Sequence, residues 1–392
     1  MIKKLLILVA WALVGVVVGL VLAMTGIAVF TDMTFGEFVR LLVSLNPGEV
    51  FAAALSGVAA LIVAVPVLVL VHETGHLVCG LLSGYRFVSF RIFSFTVIRD
   101  HGHLRVKRFA ISGTGGQCLL APPDVPDGRI PTVWYNLGGV LANVAVLLIL
   151  LPFLWAVSDP FAEVFLTVFL LVDLFFILIN GVPMRMGGIA NDANNALMLH
   201  RDVRSLGALA VQLRANALVQ EGVRPRDMPL NWFETEGDID YRNQLQVGVA
   251  LMKAGRLIDL EQWDDAYREH EMLYGHKEEI MPLYVREIEC ELLFLALVTG
   301  RMAQARELYG SDSLKSYIGN YRRIMSSKER LLFAVALFME EDHGKAAGIL
   351  DQVGSHRNDY LMQGEVKSDL AIMESLLANV KNGMGNHNVS VV

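Results

Sequence analysis

Long apolar runs occupy the first half of the chain, and mixed polar sequence follows from about residue 185. Four runs have the roughly 20 apolar residues that an α-helix needs to cross a bilayer. The first run is longer than the apolar part of a signal peptide, about 7–15 residues, so we expect a retained anchor. The pattern predicts a mainly α-helical, multi-pass membrane protein with about four spanning helices. The runs cover residues 5–30, 51–82, 133–157 and 161–182.

The charges between these runs predict how the helices are oriented. Lys3 and Lys4 precede the first run, and the segment 31–50 carries three acidic residues against Arg40. The segment 85–131 carries seven Lys and Arg residues. Because short loops rich in Lys and Arg stay in the cytoplasm, we expect the N-terminus, the 85–131 segment and the C-terminal half to be cytoplasmic. The expected location is a prokaryotic cell membrane.

The loop between the second and third runs has the composition of β-strands. Residues 87–98 are dense in Phe, Val and Ile, Asp100-His101-Gly102 supplies a turn, and residues 104–111 mix basic with apolar side chains. We expect a membrane-associated β-hairpin over about 86–111, followed by a flexible Gly-rich stretch. An unpaired edge of this hairpin could receive an extended peptide by β-augmentation. A purely structural cap is the equal alternative.

From about residue 200 the chain looks helical and contains three similar stretches. In each, an apolar helix is followed by a short polar break and a second helix with a small residue at the crossing. The central alanines are Ala266, Ala305 and Ala347, 39 and 42 residues apart. This spacing exceeds the roughly 34 residues of a tetratricopeptide repeat but fits degenerate helical hairpins of that kind, which bind peptides or proteins. A generic helical bundle is the alternative. The stretches are Ala250–Tyr274, Leu292–Tyr309 and Leu331–Leu350.

The composition agrees with a chain that has a membrane-embedded part and a soluble part. Hydrophobic residues make up 54% of the chain, charged residues 19%, and the mean hydropathy is +0.46. The formal charge of −7 argues against a nucleic-acid partner. Three scattered cysteines form no CxxC pair, so we expect buried thiols in a reducing compartment: Cys79, Cys118 and Cys290. The predicted regions are an anchor and external loop at 1–50, a membrane core at 51–200, a cytoplasmic helical domain at 201–380 and a disordered tail at 381–392.

The second apolar run ends in His72-Glu73-Thr74-Gly75-His76. On a helix, a His-Glu-x-x-His sequence places two imidazoles one turn apart on one face, where they can hold a zinc ion. Glu73 beside them can take a proton from zinc-bound water. The 21 residues before the motif, Phe51 to Val71, carry no charge. The pattern therefore predicts zinc chemistry at the cytoplasmic edge of a bilayer.

A catalytic zinc site needs a third protein ligand, and three carboxylates of the membrane half are candidates. Glu163 lies at the outer border and is too far away. Asp173 lies in the middle of the fourth run, where an ionisable residue is a functional hypothesis by default. Asp192 lies just beyond that run, level with the motif. From the residues alone, both Asp173 and Asp192 stay open, whereas His101 and His103 are read as solvated residues of a polar turn.

The motif, Asn180-Gly-Val-Pro183 two runs later and then Asp192 together resemble the site-2 protease family of intramembrane zinc metalloproteases. The resemblance covers about residues 52–200. It implies a single zinc ion held by His72, His76 and Asp192. The segment from Pro183 to Asp192 is longer than in the commonest form of the family, and the chain looks like the branch with an extended segment there. Gly138-Gly139-Val140-Leu141-Ala142-Asn143 is similar to the family's Gly-Pro-x-x-Asn element, with Val140 in place of proline.

These observations predict a zinc metallopeptidase that cleaves membrane-associated polypeptides near the cytoplasmic face, with Glu73 as general base. Asn143 is expected to hold water or substrate, or alternatively to bridge helices within the bundle. The expected partners are the bilayer, a membrane-associated peptide substrate and a protein bound to the helical domain. The alternative from another class is a non-proteolytic membrane scaffold with a structural or vestigial zinc site.

Overall fold

The computed structural model describes most of the chain from residue 46 onward. Three of its helices are long and apolar enough to cross a membrane: α1, α2 with the short 3-10 turn that follows it, and α3. They coincide with the predicted runs at 51–82, 133–157 and 161–182. The predicted first span at 5–30 lies outside the described residues. Those residues are 34, 36–37, 40, 44, 46–100, 103–108, 115–125, 129–186, 189–234 and 237–387.

The three long helices follow from continuous apolar sequence with few breaks. Helix α1 (Pro47–Leu82) continues through Pro66. A proline is tolerated inside a membrane helix because neighbouring helices can satisfy the backbone groups that it leaves without a hydrogen bond. Helix α2 (Thr132–Leu150) leads into a 3-10 turn that ends at Trp155. Helix α3 (Pro160–Gly181) ends two residues before Pro183, because the residue before a proline is disfavoured in helical geometry.

A four-stranded antiparallel sheet lies between α1 and α2 in the chain, in the strand order β3-β2-β1-β4. Asp100 pairs with His103 across β2 and β3, which agrees with the turn predicted at Asp100-His101-Gly102; His101 and Gly102 lie outside the described residues. The prediction of a single hairpin over 86–111 is wrong in extent, because the sheet has four strands and continues to Ala121. The strands are β1 (Arg86–Ile92), β2 (Phe95–Asp100), β3 (His103–Arg108) and β4 (Gly116–Ala121).

The extra strands arise from a turn that the composition does not indicate. The segment 87–98 is two strands, because Phe93 takes a left-handed φ of 51° and reverses the chain. Such a conformation is uncommon for a bulky residue, and the Phe93 N–H donates to the carbonyl of Gly115 at 2.8 Å. Gly116 and Gln117, expected to be flexible, begin β4 and pair with β1.

The remaining chain is helical apart from a two-stranded ribbon of β5 (Arg185–Met186) and β6 (Ile189–Ala190). The last helix extends into the segment predicted to be a disordered tail, and residues 388–392 lie outside the described residues. The helices are α4 (Asp192–Met198), α5 (Val203–Gln220), α6 (Gln244–Asp259), α7 (Trp263–Tyr274), α8 (Pro282–Val298), α9 (Met302–Gly310), α10 (Asp312–Tyr321), α11 (Ser326–Ala334), α12 (His343–Ser355) and α13 (Gln363–His387).

The three similar stretches are helical hairpins, formed by α6 with α7, α8 with α9, and α11 with α12. Each hairpin turns through one residue with a left-handed φ: Glu261, Gly300 and Glu341. The fully buried alanines that follow these turns are Ala266, Ala305 and Ala346. The predicted third alanine, Ala347, is therefore off by one residue. A π-helical turn at Val335–Met339 precedes this hairpin's break, and such a turn changes the local spacing of helical positions.

The chain divides into two compact units. Among the described residues, one unit contains those up to Ile62 together with 152–169, and the other contains those of 63–151 and those from Leu170 onward. The predicted boundary near residue 200 falls inside the second unit. There, α5 packs Leu206, Ala210 and Leu213 into one cluster with Leu120 of β4. Helix α5 and the sheet thus share a core. All three cysteines are free.

Candidate metal centre

Three side chains from two distant parts of the chain converge on one point. His72 Nε2 and His76 Nε2 lie 3.0 and 3.3 Å from the same carboxylate oxygen, Oδ2 of Asp192. The two Nε2 atoms lie 3.1 Å apart. Ligand atoms about 2.0–2.1 Å from a tetrahedral zinc ion are about 3.3 Å from one another. The triangle therefore has the size of one face of a zinc coordination tetrahedron.

The opposite ring nitrogens show that lone pairs face this point. His76 Nδ1 lies 2.8 Å from the backbone carbonyl of Tyr135, which can only accept a hydrogen bond, so Nδ1 carries the proton. His72 Nδ1 lies 2.9 Å from Asn143 Oδ1. With protons on both Nδ1 atoms, both Nε2 atoms are acceptors. Three acceptors within contact distance and no donor between them form a site for a cation.

The position of Asp192 suits this role. Its Oδ2 atom is buried and accepts no hydrogen bond in the part of the chain that the structure describes, and a carboxyl ligand binds a metal in its ionised form.

Asp192 reaches the site because the long segment after Pro183 folds back on itself. Arg185 pairs with Ala190 in the β5–β6 ribbon, and the Asn191 N–H donates to the carbonyl of Met184 at 3.1 Å. The ribbon brings the chain back to the point where it left α3. Asp192 consequently starts α4 beside the end of α3, and the extra residues do not displace it.

Asn191 fixes this junction on both sides. Its side-chain oxygen accepts from the N–H groups of Met184 and Asn194, which caps α4. Its side-chain amide donates to the carbonyls of Ile179 and Val182 at 2.7 and 2.6 Å. These carbonyls belong to the last turn of α3 and the residue following it, where helical partners are missing. Asn191 thus ties the helix that carries Asp192 to α3.

Glycines allow α1 and α2 to approach closely beside the motif. A Cβ atom on Gly75 would lie 2.1 Å from the Gly138 carbonyl oxygen, and one on Gly138 would lie 2.4 Å from that of Gly75. A Cβ atom on Gly139 would lie 2.5 Å from the imidazole of His72. Small residues at a helix crossing permit backbone contact. This contact brings Tyr135 and Asn143 within reach of the two imidazoles.

Glu73 faces the sheet. It is 9% exposed, and a Cβ atom on Gly116 would lie 2.5 Å from its Oε1 atom. Gly116 begins β4, the strand at the end of the sheet with no strand partner on its outer side among the described residues. Buried Arg91 donates to the carbonyls of Phe93 and Gly116 at 3.0 and 3.3 Å and holds this part of the sheet in place.

The structure brings some of the predicted site residues together and leaves others apart. Asp192 joins the two histidines, whereas Asp173 contacts neither and binds Asn143, whose amide donates to Asp173 Oδ1 at 2.8 Å. Asn180 donates to the carbonyl of Phe176 within its own helix. His103 is exposed on β3, and His101 lies outside the described residues.

Sequence reasoning missed four residues around the site. Asn191, as an Asn directly before a helix that begins with Asp192, carries a capping signal that could have been recognised. Tyr135 contributes only its backbone carbonyl, and Gly116 and Arg91 depend on the sheet register; none of these had a local signal.

His72, His76 and Asp192 are the one group of potential metal ligands of this kind found among the described residues. Comparison of the chain with protein-family models, curated proteins and solved structures gives no match.

Proposed function

We propose that this chain is an intramembrane zinc metalloprotease that hydrolyses peptide bonds of membrane-associated polypeptides near the cytoplasmic face. The observation that carries the proposal is the convergence of His72 Nε2, His76 Nε2 and Asp192 Oδ2. Both histidines and Glu73 lie on α1, a helix long enough to span a membrane. The resemblance of these residues to the site-2 protease family supports the same conclusion.

Zinc is the metal that this donor set favours, since two imidazoles and one carboxylate leave a fourth position open, as in hydrolytic zinc sites. When bound, zinc lowers the pKa of a water molecule and polarises the carbonyl of the peptide bond. Glu73 would act as the general base of this site: it would accept a proton from the attacking water and deliver it to the departing amine. Burial of Glu73 between α1 and β4 keeps its carboxylate next to the ligands rather than in bulk solvent.

The sheet offers a place for the substrate. A peptide bond inside a membrane helix is protected by helical hydrogen bonds, so the substrate must unwind locally before cleavage. An extended segment that pairs with the outer edge of β4 would exchange its helical hydrogen bonds for strand hydrogen bonds. Because Gly116 of β4 contacts Glu73, the paired segment would lie beside the general base.

The helical hairpins of the C-terminal half suit binding of a protein partner. Helix α5 links them to the active-site sheet: it packs on β4, and the Gln220 side chain donates to the carbonyl of Val88 in β1 at 3.1 Å. We place these hairpins in the cytoplasm because of the positive charge of the 85–131 segment. A fluorescent protein fused after Val392 should fluoresce, and a phosphatase fused at that position should be inactive. An active phosphatase would reverse the orientation.

The protease proposal is tested with the isosteric variant Glu73→Gln. Cells producing the wild type or this variant at equal levels are compared by mass spectrometry of the new termini of membrane proteins. We expect a small set of termini inside apolar segments that appear with the wild type and disappear with Glu73→Gln, while zinc content stays equal.

Identical termini in both cells would contradict the protease proposal. If zinc is nevertheless bound in both proteins, that outcome favours the alternative, a membrane scaffold whose metal site is structural and whose helical hairpins bind a partner.

A further inference from the structure

Asp173 is a carboxyl group in the middle of a spanning helix, and it does not contact the proposed metal site directly. It is 0% exposed, although its neighbours on α3, Leu171 and Leu174, are exposed. A carboxyl group at this depth is costly and is retained where it has a specific partner. Its partner is Asn143 of α2, which is also 0% exposed.

A line of two hydrogen bonds connects Asp173 with a metal ligand. Asn143 Nδ2 lies 2.8 Å from Asp173 Oδ1, and Asn143 Oδ1 lies 2.9 Å from His72 Nδ1. The line joins all three spanning helices. His76 has a simpler arrangement, since its Nδ1 bonds to the fixed backbone carbonyl of Tyr135.

The chemistry of each group determines which atom donates and which accepts in these two hydrogen bonds. A carboxyl oxygen accepts, so the side of Asn143 that faces Asp173 must be its NH₂ group, and the side that faces His72 must be its carbonyl oxygen. That oxygen requires a proton on His72 Nδ1. The lone pair of His72 is therefore placed on Nε2, toward His76 and Asp192.

We propose that Asp173 is a positioning residue that orients the Asn143 amide and thereby holds His72 in the tautomer and ring orientation that bind the metal. A side-chain amide can rotate by half a turn, and then its NH₂ group would face the N–H of His72. Asp173 prevents this rotation. The proposal rests on the proposed metal site and adds a residue that the site-2 protease resemblance did not assign.

The first test measures zinc affinity by competition with a chelator, using the full chain in detergent. Removing an outer hydrogen bond of a metal-bound histidine typically lowers metal affinity 10–100-fold. We expect about this loss for Asn143→Leu and about 10-fold for Asp173→Leu. Ser56→Ala is the matched control, because Ser56 of α1 donates to the Phe161 carbonyl of α3 at 2.6 Å, far from the ligands along both helices. Its affinity should equal that of the wild type.

The second test is an exchange of the two side chains. In Asn143→Asp/Asp173→Asn, the residue at 143 again presents an oxygen to His72, and the residue at 173 donates to it. Zinc affinity should return to within about threefold of the wild type, whereas Asn143→Asp alone places two buried carboxyls in contact and should not recover.

The visible spectrum of the cobalt-loaded protein separates positioning from a general structural effect. The bands should shift in Asp173→Leu, because the coordination of His72 changes, and stay unchanged in Ser56→Ala. If the wild type binds metal and Asp173→Leu has the same affinity and spectrum, this inference is wrong while the metal site stands. If the wild type binds no metal, the proposed function itself fails, and this inference fails with it.

Discussion

Two regions of this molecule bury several ionisable side chains, and the two regions differ in how their hydrogen-bond donors and acceptors are arranged. In the metal centre, His72, His76 and Asp192 direct three acceptor atoms at one point. In the helical half, a buried ion network alternates donors with acceptors. Lys328 donates to Glu287 at 2.6 Å, and Arg330 pairs with Glu291 and lies 3.3 Å from Asp369.

The difference shows how a ligand site can be told from a structural network. Lys328 is 0% exposed and Arg330 is 4% exposed, and such charges are tolerated in a protein interior only when they are paired. Each cation of the network has its carboxylates, so the network stabilises itself. The candidate metal centre has no donor between its three acceptors among the described residues, and a bound cation would complete it.

The largest expected effect concerns the removal of one acceptor from each region. Structural zinc sites contribute about 10–16 kcal/mol over four ligands, or about 2.5–4 kcal/mol per ligand. Asp192→Ala should therefore weaken zinc binding on the order of 100- to 1000-fold. Asp369→Ala should leave zinc binding unchanged and destabilise the helical half. Chelator competition measures the first effect, and loss of zinc binding in Asp369→Ala would show that the two regions are not independent.

Removal of a cation should have an effect of comparable size, and only in the ion network. Arg330→Met leaves Glu291 and Asp369 buried without their partner, at a cost of about 3–5 kcal/mol. Hydrogen exchange of residues 326–339 in the full chain should accelerate accordingly. Arg330→Met/Glu291→Gln/Asp369→Asn removes the charges together and should recover most of the protection. Equal exchange in Arg330→Met and the wild type would mean that the network does not stabilise the fold.

The ion network should weaken as the pH rises. Burial and the neighbouring Asp369 raise the pKa of Glu365 to about 7, and burial raises the pKa of Asp369 to about 6 in spite of its contact with Arg330. Since the folded state holds these protons more tightly than the unfolded state, their stabilising effect is complete below about pH 4 and is lost as the pH rises through 6–7.

Glu365→Gln removes one of these titrations. It should raise the stability of the helical half at pH 8 by about 2 kcal/mol and flatten its pH dependence between pH 5 and 8. Exchange of the 326–339 segment at several pH values, corrected for the intrinsic rate, measures this. An unchanged pH dependence would show that Glu365 does not hold its proton in the folded state.

A smaller effect is expected from a methyl group placed beside a ligand. In Gly139→Ala the new Cβ would lie 2.5 Å from the His72 ring, so the ring must shift, and zinc affinity should fall about 10-fold. Gly57→Ala is the control, since its Cβ would meet Val168 at an ordinary 3.8 Å. Equal zinc affinity in both variants would mean that the His72 ring is free to move without cost.

Features set by neighbouring residues were predictable from the sequence. The spanning helices follow from uninterrupted apolar runs, and the facing imidazoles of His72 and His76 follow from their spacing of four on a helix. The choice between Asp173 and Asp192 needed the resemblance to a family, because each carboxylate had its own argument: Asp173 lies in the middle of the fourth run, and Asp192 lies just beyond that run, level with the motif. In the structure, Asp192 lies next to the two histidines, whereas Asp173 accepts a hydrogen bond from Asn143.

Features set by distant contacts were not predictable. The reversal at Phe93-Ser94 has no glycine, asparagine or proline to mark it, and it depends on a hydrogen bond to Gly115. The buried alanine of the third hairpin shifts to Ala346 after a π-helical turn without a sequence signature. Glu73 meets Gly116 only because β4 pairs with β1 in one register.

The central claim is that two imidazoles and one carboxylate of this chain hold zinc. X-ray absorption at the zinc edge, measured on the purified full-length protein, tests it directly. We predict one zinc ion per chain with nitrogen and oxygen neighbours at about 2.0–2.1 Å, two of them imidazoles. The imidazole signal should halve in His76→Ala. A sulfur neighbour at about 2.3 Å, or a zinc spectrum unchanged in His76→Ala, would place the metal elsewhere and contradict the account.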